Sequence, residues 1–112
     1  KKSKHTTLGM TIMNNMVIKK IGVEMITDLD REIMLIAQEE CAEVTQAISK
    51  VFRFGFDSVH KERTNKDRLE EEIGDLICML QLMEEKDLID WSRVSVAAQM
   101  KREKLKTWSN IK

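Results

Sequence analysis

Proline and tyrosine are missing from this chain altogether, and glycine occurs only four times in 112 residues. A chain so short of turn formers favours long helices joined by few connections. Uninterrupted apolar runs are also lacking. None reaches the ~18 residues that a membrane span requires, and Asn14, Asn15, Lys19 and Lys20 break any signal-peptide core near the N-terminus. Neither sign of charge is in excess: 19 basic residues face 19 acidic ones. The total therefore points to neither a nucleic-acid nor a membrane partner. Only two cysteines are present, Cys41 and Cys78, without metal-ligand spacing. They read as two buried thiols in a reducing cytosol, which makes a cytoplasmic location the expectation. The aromatics are few: Trp91, Trp108, Phe52, Phe54 and Phe56. Each is more readily a core or oligomer contact than a base-stacking group, so no base preference is legible.

What remains is 42% hydrophobic and 34% charged residues, a soluble globular balance, with eight methionines. The length fits one domain, residues 1–112, with a polar, loose stretch over 1–9. Residues 10–25 carry Met13, Met16, Val17 and Ile21 at three-to-four spacing and predict a short, weakly amphipathic helix. A strong helix is predicted over 28–53, capped by Thr27 or Asp28 and ended by Gly55, with Leu29, Ile33, Ile36, Ala37, Val44, Ala47, Ile48 and Val51 on one face. After a polar connection over 55–64, a second strong helix is predicted over 65–86, capped by Thr64 or Asn65. Its stripe is Leu69, Ile73, Leu76, Met79, Leu80 and Met83. A last helix over 91–108, capped by Asp90 or Ser92, carries Trp91, Val94, Ala98, Leu105 and Trp108. No strand alternation is visible. The expected fold is all-α, a small antiparallel bundle of about four helices completed by oligomerisation, since a core of this size is modest.

The stretch "AQEECAEV" (37–44) puts acids where that stripe should run. Glu40 lies four residues after Ile36 and four before Val44, and Glu43 four before Ala47. Glu39 borders the same patch. On the second helix Glu72 lies three after Leu69 and four before Leu76, with Asp75 three further on. A solvated acidic face should lie opposite the apolar stripe, not within it. Burying unpaired carboxylates costs several kcal/mol each, and like charges at these spacings repel. A hard divalent cation answers both problems. Mg²⁺ takes oxygen ligands, keeps several waters and is commonly completed by substrate phosphates. Gly74, costly inside a helix by ~1 kcal/mol, fits close approach of a neighbouring helix or ligand.

The pair Glu39-Glu40-x-x-Glu43 and Glu72-Ile-Gly-Asp75 resembles the E-E-x-x-E … E-x-x-D signature of the MazG-like, all-α nucleoside triphosphate pyrophosphohydrolases. "EECAEVTQAISKVFRFG" (39–55) resembles the first motif helix of that family, "RLEEEIGDLICMLQLM" (68–83) its second, and "KREKLKTWS" (101–109) the C-terminal end of short phage and bacterial versions. The likeness covers about residues 33–109. The 28-residue gap between Glu43 and Glu72 is towards the long end for that pattern, which puts the shape of the connecting loop in question. The resemblance implies the reaction NTP + H₂O → NMP + PPi with Mg²⁺, or Mn²⁺ as a substitute. It makes Glu40, Glu43, Glu72 and Asp75 metal ligands. Glu39 becomes a further ligand, or the group that orients or deprotonates the attacking water. It also implies a homodimer or homotetramer.

A tetra-anionic substrate beside carboxylates calls for cations besides the metal. Lys50 continues the 36–40–43–47 face and Arg53 follows it by three. Arg suits bidentate phosphate contact and Lys a point contact. Lys101 occupies the stripe slot between Ala98 and Leu105, with Lys104 as its companion. His5 and His60 fall in polar stretches and read as surface residues. Narrower relatives share the same metal motif: an all-α dUTPase or dCTPase, or a phosphoribosyl-ATP pyrophosphohydrolase. From another class, a ferritin-like bundle would want Glu-x-x-His on two helices, and neither histidine lies three after a glutamate. A non-catalytic helical module that binds a partner would have no use for inward acids.

Overall fold

In the computed structural model, residues 25–112 are described, and the helix expected over 10–25 falls almost wholly outside them. The described part holds three helices and one short hairpin: α1 (Asp28–Phe54), β1 (Val59–His60), β2 (Arg63–Thr64), α2 (Asn65–Glu85) and α3 (Trp91–Trp108). Each helix begins where a short oxygen side chain can catch a free first-turn N–H. Thr27 Oγ1 accepts from the Asp30 N–H at 3.0 Å, and Asp30 returns the bond to the Thr27 N–H. Thr64 and Asp67 form the same reciprocal box at the start of α2, which holds the Asp67 carboxyl below its ordinary value. Asp90 caps α3 by accepting from Ser92, and those hydrogen bonds depress its carboxyl likewise. Gly55 ends α1 at φ 89°, a conformation that costs a residue without Cβ little.

α1 and α2 lie antiparallel along a shared seam. Ile33 and Ala37, near the start of α1, form the core with Met79, near the end of α2, and with Ile36, Leu82, Met83 and Leu88 against them. At the opposite end the buried Asn65 donates its Nδ2 to the Gly55 carbonyl at 2.9 Å, tying the start of α2 to the end of α1. α3 contacts this pair only sparsely and buries none of its residues.

Several expectations change here. The connection over 55–64 is not plain loop. Val59 pairs with Thr64 and His60 with Arg63, antiparallel. The two turn residues, Lys61 and Glu62, have φ of 53° and 66°, the left-handed pair of a tight hairpin turn that Asn-Gly usually fills. Two-residue strands leave no alternation to read in the sequence. The apolar stripes are also narrower than expected: Leu29, Ile48, Ile73, Trp91, Ala98 and Trp108 are exposed, and among the described residues no further helix covers the flanks of the α1–α2 seam. Cys41 and Cys78 are exposed free thiols rather than buried ones; each follows or precedes a seam residue by one position and so turns away from it. Among the described residues Gly74 has no neighbour within 4 Å of where a Cβ would stand, so none of the described helices makes use of its small size.

Candidate functional site

Between the apolar end of the seam and its hairpin end lie the acids. Glu40 from α1 and Glu72 and Asp75 from α2 each offer a carboxylate oxygen, and these oxygens lie within 4.8 Å of one another. Helical spacing explains the convergence. Glu40 continues the face of Ile33 and Ala37, and Glu72 and Asp75 continue that of Met79, so the same faces that build the core bring the acids together one turn further along.

The electrostatics follow from that crowding. Partial burial raises the Glu40 carboxyl above its ordinary value, and the charges of Asp75, Glu43 and Glu39 push it further. Glu72 is raised in the same way, by partial burial first and then by Glu43, Asp75, Glu40 and Glu71. Glu43 therefore acts on both members of the cluster although it is not among the three converging oxygens. Glu39 is exposed at the margin and acts on Glu40 alone. Among the described residues no lysine or arginine is paired with any of these acids. The ion pairs join Arg63 to Glu71 and Lys106 to Glu103. An oxygen-only donor set with two carboxyls already strained towards protonation, and no internal cation, fits a hard divalent ion.

The basic residues singled out from the sequence are dispersed. Lys50 lines a recess at the hairpin end of the seam. The Arg53 guanidinium lies 5.0 Å from the centre of the Phe54 ring, on the outside of the C-terminal turn of α1. Lys101 and Lys104 are exposed on α3 and pair with no acid among the described residues. Sequence reasoning missed Arg68, which lines the same recess as Lys50 and donates through Nη2 to the His60 carbonyl at 2.8 Å. It lies four residues before Glu72, so the arithmetic that aligned the acids also places it on their face. Asn65, expected as a cap, is instead the buried clamp between helix ends, and Thr64 is the cap.

The model of the MazG nucleotide pyrophosphohydrolase domain matches residues 30–107. The chain belongs to the MazG family. That match spans both acidic helices, the hairpin and nearly all of α3, so the converging carboxylates lie inside the MazG domain. MazG enzymes are nucleotide pyrophosphohydrolases that depend on a divalent metal. Comparison with curated proteins and with solved structures returned no significant match. No helix among the described residues is long and apolar enough to cross a membrane.

Proposed function

We propose that this protein hydrolyses (deoxy)nucleoside triphosphates to the monophosphate and pyrophosphate with Mg²⁺, Mn²⁺ being a possible substitute. The observation that carries the proposal is the meeting of Glu40, Glu72 and Asp75 across two helices, with no lysine or arginine among the described residues paired to them. Glu40, Glu43, Glu72 and Asp75 would hold the metal. Held there, the ion would supply charge to offset the phosphates and would lower the pKa of a water. Glu39, exposed beside Glu40, orients the attacking water or accepts its proton. The water oxygen bonds to the α-phosphorus, and the bond from that phosphorus to the α–β bridging oxygen breaks. The electron pair leaves with pyrophosphate. Lys50, Arg53, Lys101 and Lys104 supply cations for the phosphate oxygens, Arg in paired contacts and Lys as point charges.

The working molecule is a homodimer or homotetramer of a single domain, residues 1–112, acting in the cytoplasm without nucleic acid or membrane. Exposed apolar side chains support this assembly. Val96 is 59% exposed, Met100 56% and Trp108 81% on a helix none of whose residues is fully buried. A second copy laid over α3 would cover them, and it offers a route by which Lys101 and Lys104 reach a carboxylate cluster.

Incubation with each NTP and dNTP plus Mg²⁺ tests the reaction, with products separated by chromatography. The expected pair is NMP and pyrophosphate. NDP and orthophosphate, or no turnover of any triphosphate with Mg²⁺ or Mn²⁺, overturns it. The same panel separates a general enzyme from a dUTPase, dCTPase or phosphoribosyl-ATP type, if phosphoribosyl-ATP is included. A mass of one chain by light scattering at micromolar concentration would refute the oligomer.

A further inference from the structure

A recess of about 330 Å³ lies at the hairpin end of the α1–α2 seam. Its walls come from three elements: Lys50 and Phe54 at the end of α1, Ser58, Val59 and His60 on the hairpin, and Arg68 on α2. Asn65 closes the floor, its amide already committed to the Gly55 carbonyl. Arg68 lies one turn before Glu72, a rise of roughly 6 Å, so the recess adjoins the carboxylate cluster along the seam.

Its chemistry is lopsided. Lys50, Arg68 and Ser58 all carry donors, and no carboxylate lines it. The obvious protein acceptor, the His60 carbonyl, is taken by Arg68 Nη2. Arg68 Nε is buried without a hydrogen-bond partner. A buried donor left unpaired is costly, and an occupant that brings an acceptor relieves the cost. The remaining walls, Phe54 and Val59, are apolar. A bare phosphate gains nothing from such walls, whereas a flat heterocycle with carbonyl oxygens on its ring fits both kinds of surface.

We propose that this recess is the nucleobase subsite and that it selects bases bearing a ring carbonyl, as in uracil, thymine and guanine, over adenine. Arg68 donates to the carbonyl oxygen, Phe54 and Val59 pack against the ring, and Lys50 keeps its place with the phosphate oxygens. The hairpin is then a specificity element, held over the site by the Arg68 bond to the His60 carbonyl. Adenine, which offers an exocyclic amine where guanine has an oxygen, leaves the donors facing another donor. The assignment rests on the pyrophosphohydrolase reading only for the direction in which the triphosphate extends.

The test is an amide and arginine side-chain NMR titration of the whole protein with Mg²⁺, using UMP, AMP and pyrophosphate separately, beside kcat/KM for each dNTP. UMP should shift the Ser58, Val59 and His60 amides and Arg68 Nε–H, AMP should do so at least roughly tenfold more weakly, and pyrophosphate should leave them in place. Triphosphates with ring-carbonyl bases should exceed dATP in kcat/KM by roughly tenfold or more. Arg68→Met should bring the two classes close together, and Phe54→Ala should raise KM for all. The wild-type titration stands even if either variant fails to fold. Equal shifts with UMP and AMP, the same shifts from pyrophosphate alone, or turnover with no hairpin shifts would each overturn the subsite. Shifts with UMP but no turnover of any triphosphate would keep the subsite and sink the hydrolase reading.

Discussion

The seam between α1 and α2 has an apolar end and an acidic middle, built on the same two helical faces. At the apolar end Ile33, Ala37 and Met79 are buried and gain stability by leaving water. One turn away Glu40, Glu72 and Asp75 converge nearer the surface, the two glutamates half-buried and Asp75 exposed, and there the crowding opposes folding. The difference is one of division of labour. Apolar contacts hold the helices at a fixed spacing, and that spacing keeps like charges together until a cation arrives. A ligand that binds only the folded state adds RT ln(1 + [L]/Kd), roughly 2.7 kcal/mol at a hundred times Kd.

The largest effect should come from Glu72→Gln, which keeps shape but removes one repelling charge. Activity should fall roughly a hundredfold or more, at least about 2.7 kcal/mol of barrier. The metal-free variant should melt no lower than the parent, while the increase in Tm caused by Mg²⁺ should shrink. Thermal melts with Mg²⁺ and with chelator check this. Equal destabilisation in both conditions would mean that Glu72 had been paired with a lysine or arginine instead.

Met79→Ala tests the other end. Removing a buried side chain of this size from a small core should cost roughly 2–4 kcal/mol in chemical denaturation, while kcat per folded molecule stays within a few-fold. A loss of activity as deep as that of Glu72→Gln in still-folded protein would show that the two ends are not separable.

Lys101→Met probes whether α3 serves the acidic middle at all. The stem is kept, so folding should be unaffected, and kcat/KM should drop by about 1–3 kcal/mol, the range for a charge-assisted hydrogen bond. Unchanged kinetics would return Lys101 to the solvated surface on which this chain alone displays it.

The smallest effect is one of pH. Glu40 and Glu72 have folded-state values raised above the ordinary 4.5. The fold therefore prefers their protonated forms, and stability is lost as pH rises through the raised values. Asp67 and Asp90 are lowered below 3.8, so their contribution is lost as pH falls through the lowered values. Metal-free protein should thus gain Tm on acidification from neutrality towards pH ~4.5 and lose it below ~3.8. With saturating Mg²⁺ the gain should vanish or reverse, because protons and metal compete for the same oxygens. A flat metal-free profile would mean that the cluster is looser than its geometry implies.

Much of this was legible in residue spacing. Of the two cap candidates offered for each helix, the first caps it in every case: Thr27, Thr64 and Asp90. The three helix spans agree with expectation to within a residue at either end. The interruption of the apolar stripe by Glu40, Glu43 and Glu72 pointed to the cluster, although Glu43 is exposed and outside the three converging oxygens. The hairpin was hidden because Val59–His60 and Arg63–Thr64 are too short for a period, and because Lys61-Glu62 is an unusual pair for left-handed turn positions. The exposure of Cys41, Cys78, Ile48 and Ile73 was hidden for a different reason. A stripe records which residues can be covered, but not whether the covering surface belongs to the same chain. The same limit applied to Trp108 and Gly74.

The hairpin joins the two helices at the end furthest from the core, and this sets where the chain can change length. One residue inserted between Glu40 and Glu43 would rotate everything after it by about 100° and turn Glu43 out of register with Glu40. Residues added between Gly55 and Thr64 rotate nothing, since Asn65 and the Thr64–Asp67 box fix the start of α2 independently of what precedes them. Insertions and deletions among descendants of this chain should accumulate at the turn, where each one reshapes the recess and leaves the carboxylates in place. New substrate preferences can thus arise by changes in length as readily as by substitution.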